Sequence, residues 1–98
     1  MDVEYWLNGI CFGWDRKKAT ANIRKHGVDF RTACEVFFDP FVCFMDSEAV
    51  DSEERDKVIG VTAGWEFLVV VFVDRRDSIR LVSARSATRK ERQTYEDH

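Results

Sequence analysis

A chain of 98 residues with 45% hydrophobic and 34% charged side chains has the size and balance of one globular domain spanning 1–98 and is too polar for a membrane protein. Its longest apolar run, Phe67 to Val73, is far short of the ~20 residues of a membrane-spanning helix. The acidic start Met1-Asp2-Val3-Glu4 lacks the basic region of a signal peptide, so a cytoplasmic protein that meets no membrane is expected. The formal charge of −3 is unevenly spread: Asp46 to Asp56 is strongly acidic, whereas Arg75 to Arg92 is strongly basic, which suits a phosphate backbone at one segment only.

In chain order, residues 1–11 read as a variable lead-in closed by the turn signal Asn8-Gly9, and Ile10 to Trp14 reads as a short strand. Asp15 caps a polar stretch, Arg16 to His26, in which Ala19, Asn22, Ile23 and His26 share one helical face and Gly27 stands as the C-cap. A second helix is expected from Asp29 to Asp39-Pro40, since Phe30, Ala33, Cys34 and Phe37 repeat at i, i+3, i+4 and i+7. Phe41 to Met45 reads as a strand and Asp46 to Glu54 as an acidic loop. Val58 to Thr62, Phe67 to Val73 and Ile79 to Ala84 read as three strands, the second central and covered on both faces. In the third, simple alternation groups Ile79, Leu81 and Ser83 on one face against Arg80, Val82 and Ala84 on the other. Thr88 caps a short polar terminal helix, Arg89 to Asp97, with Tyr95 its one aromatic.

Phosphate loops, hydrolase elbows and calcium loops are missing, and Cys11, Cys34 and Cys43 match neither a zinc spacing nor a disulfide framework, so no metal and no cofactor are expected. What remains is basic and hydroxyl chemistry: Lys25, His26, Arg55, Arg80, Ser83, Arg85, Arg89 and Tyr95. Such a set suits RNA cleavage, in which the 2′-OH supplied by the substrate attacks its neighbouring phosphate. A side chain then takes the proton, arginines stabilise the phosphoryl oxygens and an acid protonates the leaving oxygen. Blander roles compete: His26 as a helix cap, Arg80 paired with Glu35 or Glu53, and Tyr95 as an anchor to the core.

Phe12-Gly13-Trp14-Asp15, Lys18, Asn22, Lys25-His26-Gly27-Val28-Asp29-Phe30, Ala33, Val36-Phe37 and Asp39-Pro40 resemble the front half of the BrnT toxins. Glu53-Glu54-Arg55, Ile59-Gly60, Phe67 to Val73, Ile79 to Arg85, Ala87-Thr88-Arg89, Glu91-Arg92 and Tyr95-Glu96 resemble the back half. The resemblance implies an α+β, RelE-like fold: a small antiparallel sheet flanked by two N-terminal helices and a short C-terminal helix. It also implies a type II toxin that cleaves RNA and inhibits translation. A BrnA-like ribbon-helix-helix antitoxin would neutralise it, and operator DNA would be reached only through that antitoxin.

Carried over by position, the motif residues are Lys25, His26, Glu54, Arg55, Arg80, Ser83 and Arg85. Chemistry assigns Arg80 and Arg85 to the scissile phosphate, His26 or Glu54 to proton transfer, and Lys25 and Arg55 to assistance. Ser83, Arg89, Arg92 and Tyr95 are assigned to RNA binding. A competing class is a non-catalytic or degenerate module that only binds an antitoxin or another acidic partner.

Overall fold

The computed structural model describes residues 1–98. Its first element corrects the expected lead-in: β1 (Asp2–Leu7) pairs antiparallel with β2 (Ile10–Asp15). The physical reason lies in the alternation of residues 2–7, with Val3, Tyr5 and Leu7 packed on the core and Asp2, Glu4 and Trp6 exposed. Asn8 and Gly9 join the strands at φ 49° and 82°, the left-handed pair that a tight hairpin requires.

Helix α1 (Arg16–His26) follows, with the Asp15 carboxylate accepting from the Lys18 N–H at 3.1 Å and Gly27 closing it at φ 71°. Because β1 and β2 precede it, the expected arrangement of two N-terminal helices does not hold. The second helix is also shorter than its heptad-like pattern implied. Only α2 (Phe30–Ala33) is α-helical, and Cys34–Phe38 tightens to a 3-10 turn. There Cys34 and Phe37, three residues apart, point the same way, and Phe37 packs on Phe12 and Phe72 at 5.4 and 5.0 Å between ring centres.

Strands β3 (Cys43–Val50), β4 (Glu53–Val61), β5 (Phe67–Asp74) and β6 (Ile79–Ser86) form an antiparallel run. The stretch expected as an acidic loop is thus a hairpin. Asp51 and Ser52 turn it at φ 51° and 66°, a conformation short polar side chains tolerate, and cross-strand contacts such as Ser47 to Asp56 at 2.7 Å hold it. The sheet order is β1-β2-β6-β5-β4-β3. The sheet is mixed rather than antiparallel, since β2 runs parallel to β6 where Phe12 and Gly13 meet Ile79 and Arg80.

The core lies on one face of this sheet. Phe12, Trp14, Val28, Phe30, Cys34, Val36, Leu68, Val70, Leu81 and Ala84 are buried there under α1, α2 and the 3-10 turn. Gly60 is required at one close approach, because a Cβ on it would stand 2.8 Å from the Val36 Cβ and 3.0 Å from the Val36 carbonyl oxygen. Helix α3 (Arg89–Asp97), closed by a Thr88–Glu91 capping box, lies on the other face at one end. It is fastened by Tyr95, whose hydroxyl donates to Asp39 at 2.6 Å and whose ring meets Phe67 edge-on, and by Arg92 stacked over Phe67 at 4.0 Å. β5 is therefore central and covered on both faces over its first half, while Val71 farther along is half-buried.

Candidate active site

The decisive local feature is an irregularity in β6. Leu81 stands opposite Phe72 and Ser83 opposite Val71, so Val82 is an extra residue in the ladder. A bulge of this kind reverses the facing of everything beyond it. Leu81 and Ala84, three residues apart, both enter the core, and Arg80, Ser83 and Arg85 emerge together on the opposite face. Simple alternation had separated Arg80 from Ser83, and the bulge corrects it.

Register then extends this face across the sheet. One row runs Glu4, Gly13, Arg80, Val73, the next Asp46, Lys57, Val71, Ser83, and a third Cys43, Ile59, Val69, Arg85. Arg55, two residues before Lys57 and opposite Glu48, shares the face. The result is a shallow basin with a valine floor, closed at one end by α3, whose Glu91 and Tyr95 meet Arg85 and Phe67. Within it, Asp46, Glu48, Arg55, Lys57, Val71, Val82 and Ser83 line a cavity of about 240 Å³.

The basic groups differ in how they are held. Arg85 forms a two-pronged pair with Glu91 of α3 at 2.7 and 2.8 Å. The bonds from Arg85, against the effect of burial, draw the Glu91 carboxyl down to about 2. Arg80 pairs with Asp2 of β1 at 3.0 Å, not with Glu35 or Glu53. Glu35 accepts from the Ala63 N–H at 2.9 Å, and Glu53 pairs with Arg75 at 3.1 Å. Arg55 lies 4.0 Å from Glu53, and its Nε is buried with no acceptor. Lys57, at 4.0 Å from Asp46, is equally loosely held.

Lys25 and His26 occupy the last turn of α1, exposed. They follow Asn22 by three and four residues and so share its side of the helix. Asn22 is buried against β6: it donates to the Ala84 carbonyl at 2.8 Å and the Val28 carbonyl at 3.0 Å, and accepts from the Ala84 N–H at 3.1 Å. Its amide takes the place of a neighbouring strand where β2 has diverged from β6, and it brings the end of α1 to the free edge of the strand that carries Arg85. Glu54, by contrast, leaves β4 on the face opposite Arg55, exposed near the hairpin end. Arg89 is exposed, Arg92 is committed to Phe67 and Tyr95 to Asp39. Burial, then the bond to Asp39, pushes the Tyr95 hydroxyl up to about 12.

The basin face thus carries Arg55, Arg80, Ser83 and Arg85, while Lys25 and His26 stand exposed on α1, the helix that Asn22 fastens to the edge of β6. Lys57 and Asn22 were not assigned to the site from sequence. Lys57 carried one legible signal, the two-residue spacing Arg55-Asp56-Lys57 of a strand, which reading 46–54 as a loop concealed.

The family described as the ribonuclease toxin BrnT of type II toxin-antitoxin systems matches residues 14–91, leaving β1 outside the match. Among solved structures, the chain is similar to the Brucella abortus ribonuclease toxin BrnT at 29% identity. That match covers 78% of this chain and 94% of that one, with a TM-score of 0.63. No curated protein matches. The matched residues take in α1, the whole β3–β6 run and the bulged strand with its arginines, and on this evidence the chain belongs to the BrnT family, the ribonuclease toxins of type II toxin-antitoxin systems.

Proposed function

We propose that this chain, as a RelE-like toxin, cuts RNA on the basin face by attack of a 2′-OH on its neighbouring phosphate, with protein side chains supplying every charge the reaction needs. The observation that carries this reading is the Val82 bulge, which turns Arg80, Ser83 and Arg85 onto the face that holds Arg55. Arginines stabilise the growing charge on the phosphoryl oxygens, a task in which each well-placed donor contributes about 10² to 10³ in rate. His26 is the better candidate than Glu54 for proton transfer, because Glu54 leaves the sheet on the far face and an imidazole exchanges protons near neutral pH. Lys25 assists from the same helix end.

In the free chain both oxygens of Glu91 occupy the Arg85 fork and Asp2 takes one Nη of Arg80, so RNA competes with Glu91 for Arg85. The same occupancy favours a second reading, a family member that binds its antitoxin without cutting. The antitoxin is of the BrnA-like ribbon-helix-helix kind, it covers the toxin in the cytoplasm, and translation falls when the toxin is released. Incubating antitoxin-free protein with RNA in excess chelator decides between the two readings. Cleavage lost in Arg80→Ala and Arg85→Ala, with growth restored on their induction, is expected. Intact RNA with the wild type, or variants as active and as toxic as the wild type, would overturn the enzyme reading.

A further inference from the structure

On the basin face the cations fall into two classes. Arg85 is held by both oxygens of Glu91 and Arg80 by one bond to Asp2, whereas Lys57 and Arg55 have carboxylates no nearer than 4.0 Å. In Arg55 the atom concerned is Nε, which is buried and makes no hydrogen bond, Glu53 standing 4.0 Å away. Native proteins seldom leave such a donor unpaired unless a ligand or water completes it. Both residues line the cavity that Ser83 closes from the other side.

The register fixes the spacing. Lys57 and Ser83 stand in one row on either side of Val71, two strand separations or about 10 Å apart at the backbone. The Lys57 ammonium stands on its outer side, 4.0 Å from Asp46; swung over Val71 it would face Ser83 across a gap that a tetrahedral oxyanion bridges, with Arg55 in the next row of the same face. Carboxylates of Asp46 and Glu48 flank the cavity on its outer side, so an incoming anion is held from the inner side and must outcompete Asp46 for Lys57.

We propose that Arg55, Lys57 and Ser83 form a binding site for a backbone phosphate of the RNA substrate, with Lys57 as its loosely held point charge. Lys57 stands at none of the motif positions that carry the family resemblance. The site rests on the reading that RNA lies on the basin face. Lys57 holds a phosphate that does not react, equally in bound substrate and transition state, so its loss raises KM and leaves kcat in place.

The test uses the full chain freed of antitoxin and an uncleavable 2′-O-methyl oligoribonucleotide, with affinity measured across a salt series. Lys57→Gln is expected to bind about tenfold more weakly at low salt and to flatten the plot of log affinity against log salt by about 0.7, the contribution of one phosphate contact on a single strand. Lys57→Arg should restore the slope, and Asp46→Asn should tighten binding by removing the competing carboxylate. In cleavage assays Lys57→Gln should raise KM with kcat unchanged.

An unchanged slope and KM in Lys57→Gln, while the wild type cuts RNA, would overturn this site and leave the enzyme reading intact. A wild type that binds with the lysine-dependent slope but never cuts would overturn the enzyme reading and support the site. A wild type that neither binds nor cuts would overturn both.

Discussion

Replacing Asn22 with alanine removes three hydrogen bonds at once: two donated to the carbonyls of Ala84 and Val28, and one accepted from the Ala84 N–H. Asn22 and Ala84 are both buried, at 6% and 0% exposure. Beyond Arg80 no strand flanks β6 on that side, so the Ala84 amide and carbonyl would keep no partner in the chain. At roughly 0.5–1.5 kcal/mol per bond, and more for a buried group left unpaired, the change should cost about 3 kcal/mol. In a domain of this size each kcal/mol moves the midpoint by ~4–8 °C, so Tm should fall by roughly 15 °C. Circular dichroism melts measure the shift, and hydrogen exchange at the Ala84 amide tests its origin, because protection there should be lost first. Asn22→Asp should be no milder near neutral pH, since a carboxylate can accept from the Ala84 N–H but repels both carbonyls. A shift under about 4 °C with Ala84 still protected would refute the claim that this amide substitutes for a strand.

Gly60→Ala should lower stability by about 1–3 kcal/mol in urea titrations, because the new methyl meets the Val36 Cβ and carbonyl and must displace the 3-10 turn. The Glu91 carboxyl, held down to about 2 by Arg85 against a usual 4.5, contributes stability that is fully present above pH 4.5 and is lost as pH falls through about 2. Urea midpoints between pH 5 and 2 should therefore drop more steeply in the wild type than in Glu91→Gln, by about 1–2 kcal/mol over the window. Tyr95→Phe removes the 2.6 Å bond to Asp39 and should cost about 1 kcal/mol. In ultraviolet titration of the wild type, Tyr95 should ionise late, near 12, because burial and the Asp39 carboxylate both oppose its charge.

The two close ion pairs of the basin face join separate elements of the fold. Glu91 ties Arg85 to α3, and Asp2 ties Arg80 to β1, which lies outside the family match.

Much of this protein was legible residue by residue. The caps Asp15, Gly27 and Thr88 set the ends of α1 and α3 because they act on backbone groups within a few residues. The apolar run from Phe67 marked the central strand because such a surface must be covered on both sides. The order of Trp14-Asp15, Lys25-His26-Gly27 and Ser83-Ala84-Arg85 carried the family resemblance. Where reading failed, the deciding partner was distant in sequence. Residues 46–54 form a hairpin that continues a β4 whose Asp56–Val61 half is paired to β5, and residues 2–7 became a strand because α2 and Trp14 cover their inner side, with Arg31 over Tyr5 and Tyr5 against Trp14.

The site divides the same way. The sequence by itself determined which chemistry was at hand: arginines, a histidine, a lysine and hydroxyls without a metal-binding pattern. Only the tertiary structure decided which of them meet. The Val82 bulge is invisible to a period-two pattern, since it exists only as a mismatch between β6 and its neighbour β5. That one extra residue puts Arg80 and Arg85 on a single face, and cross-strand register brings Lys57 to the same basin while turning Glu54 away from it. Side-chain types are local information, but the face on which each emerges is fixed by hydrogen bonds to a strand whose own position the rest of the fold sets.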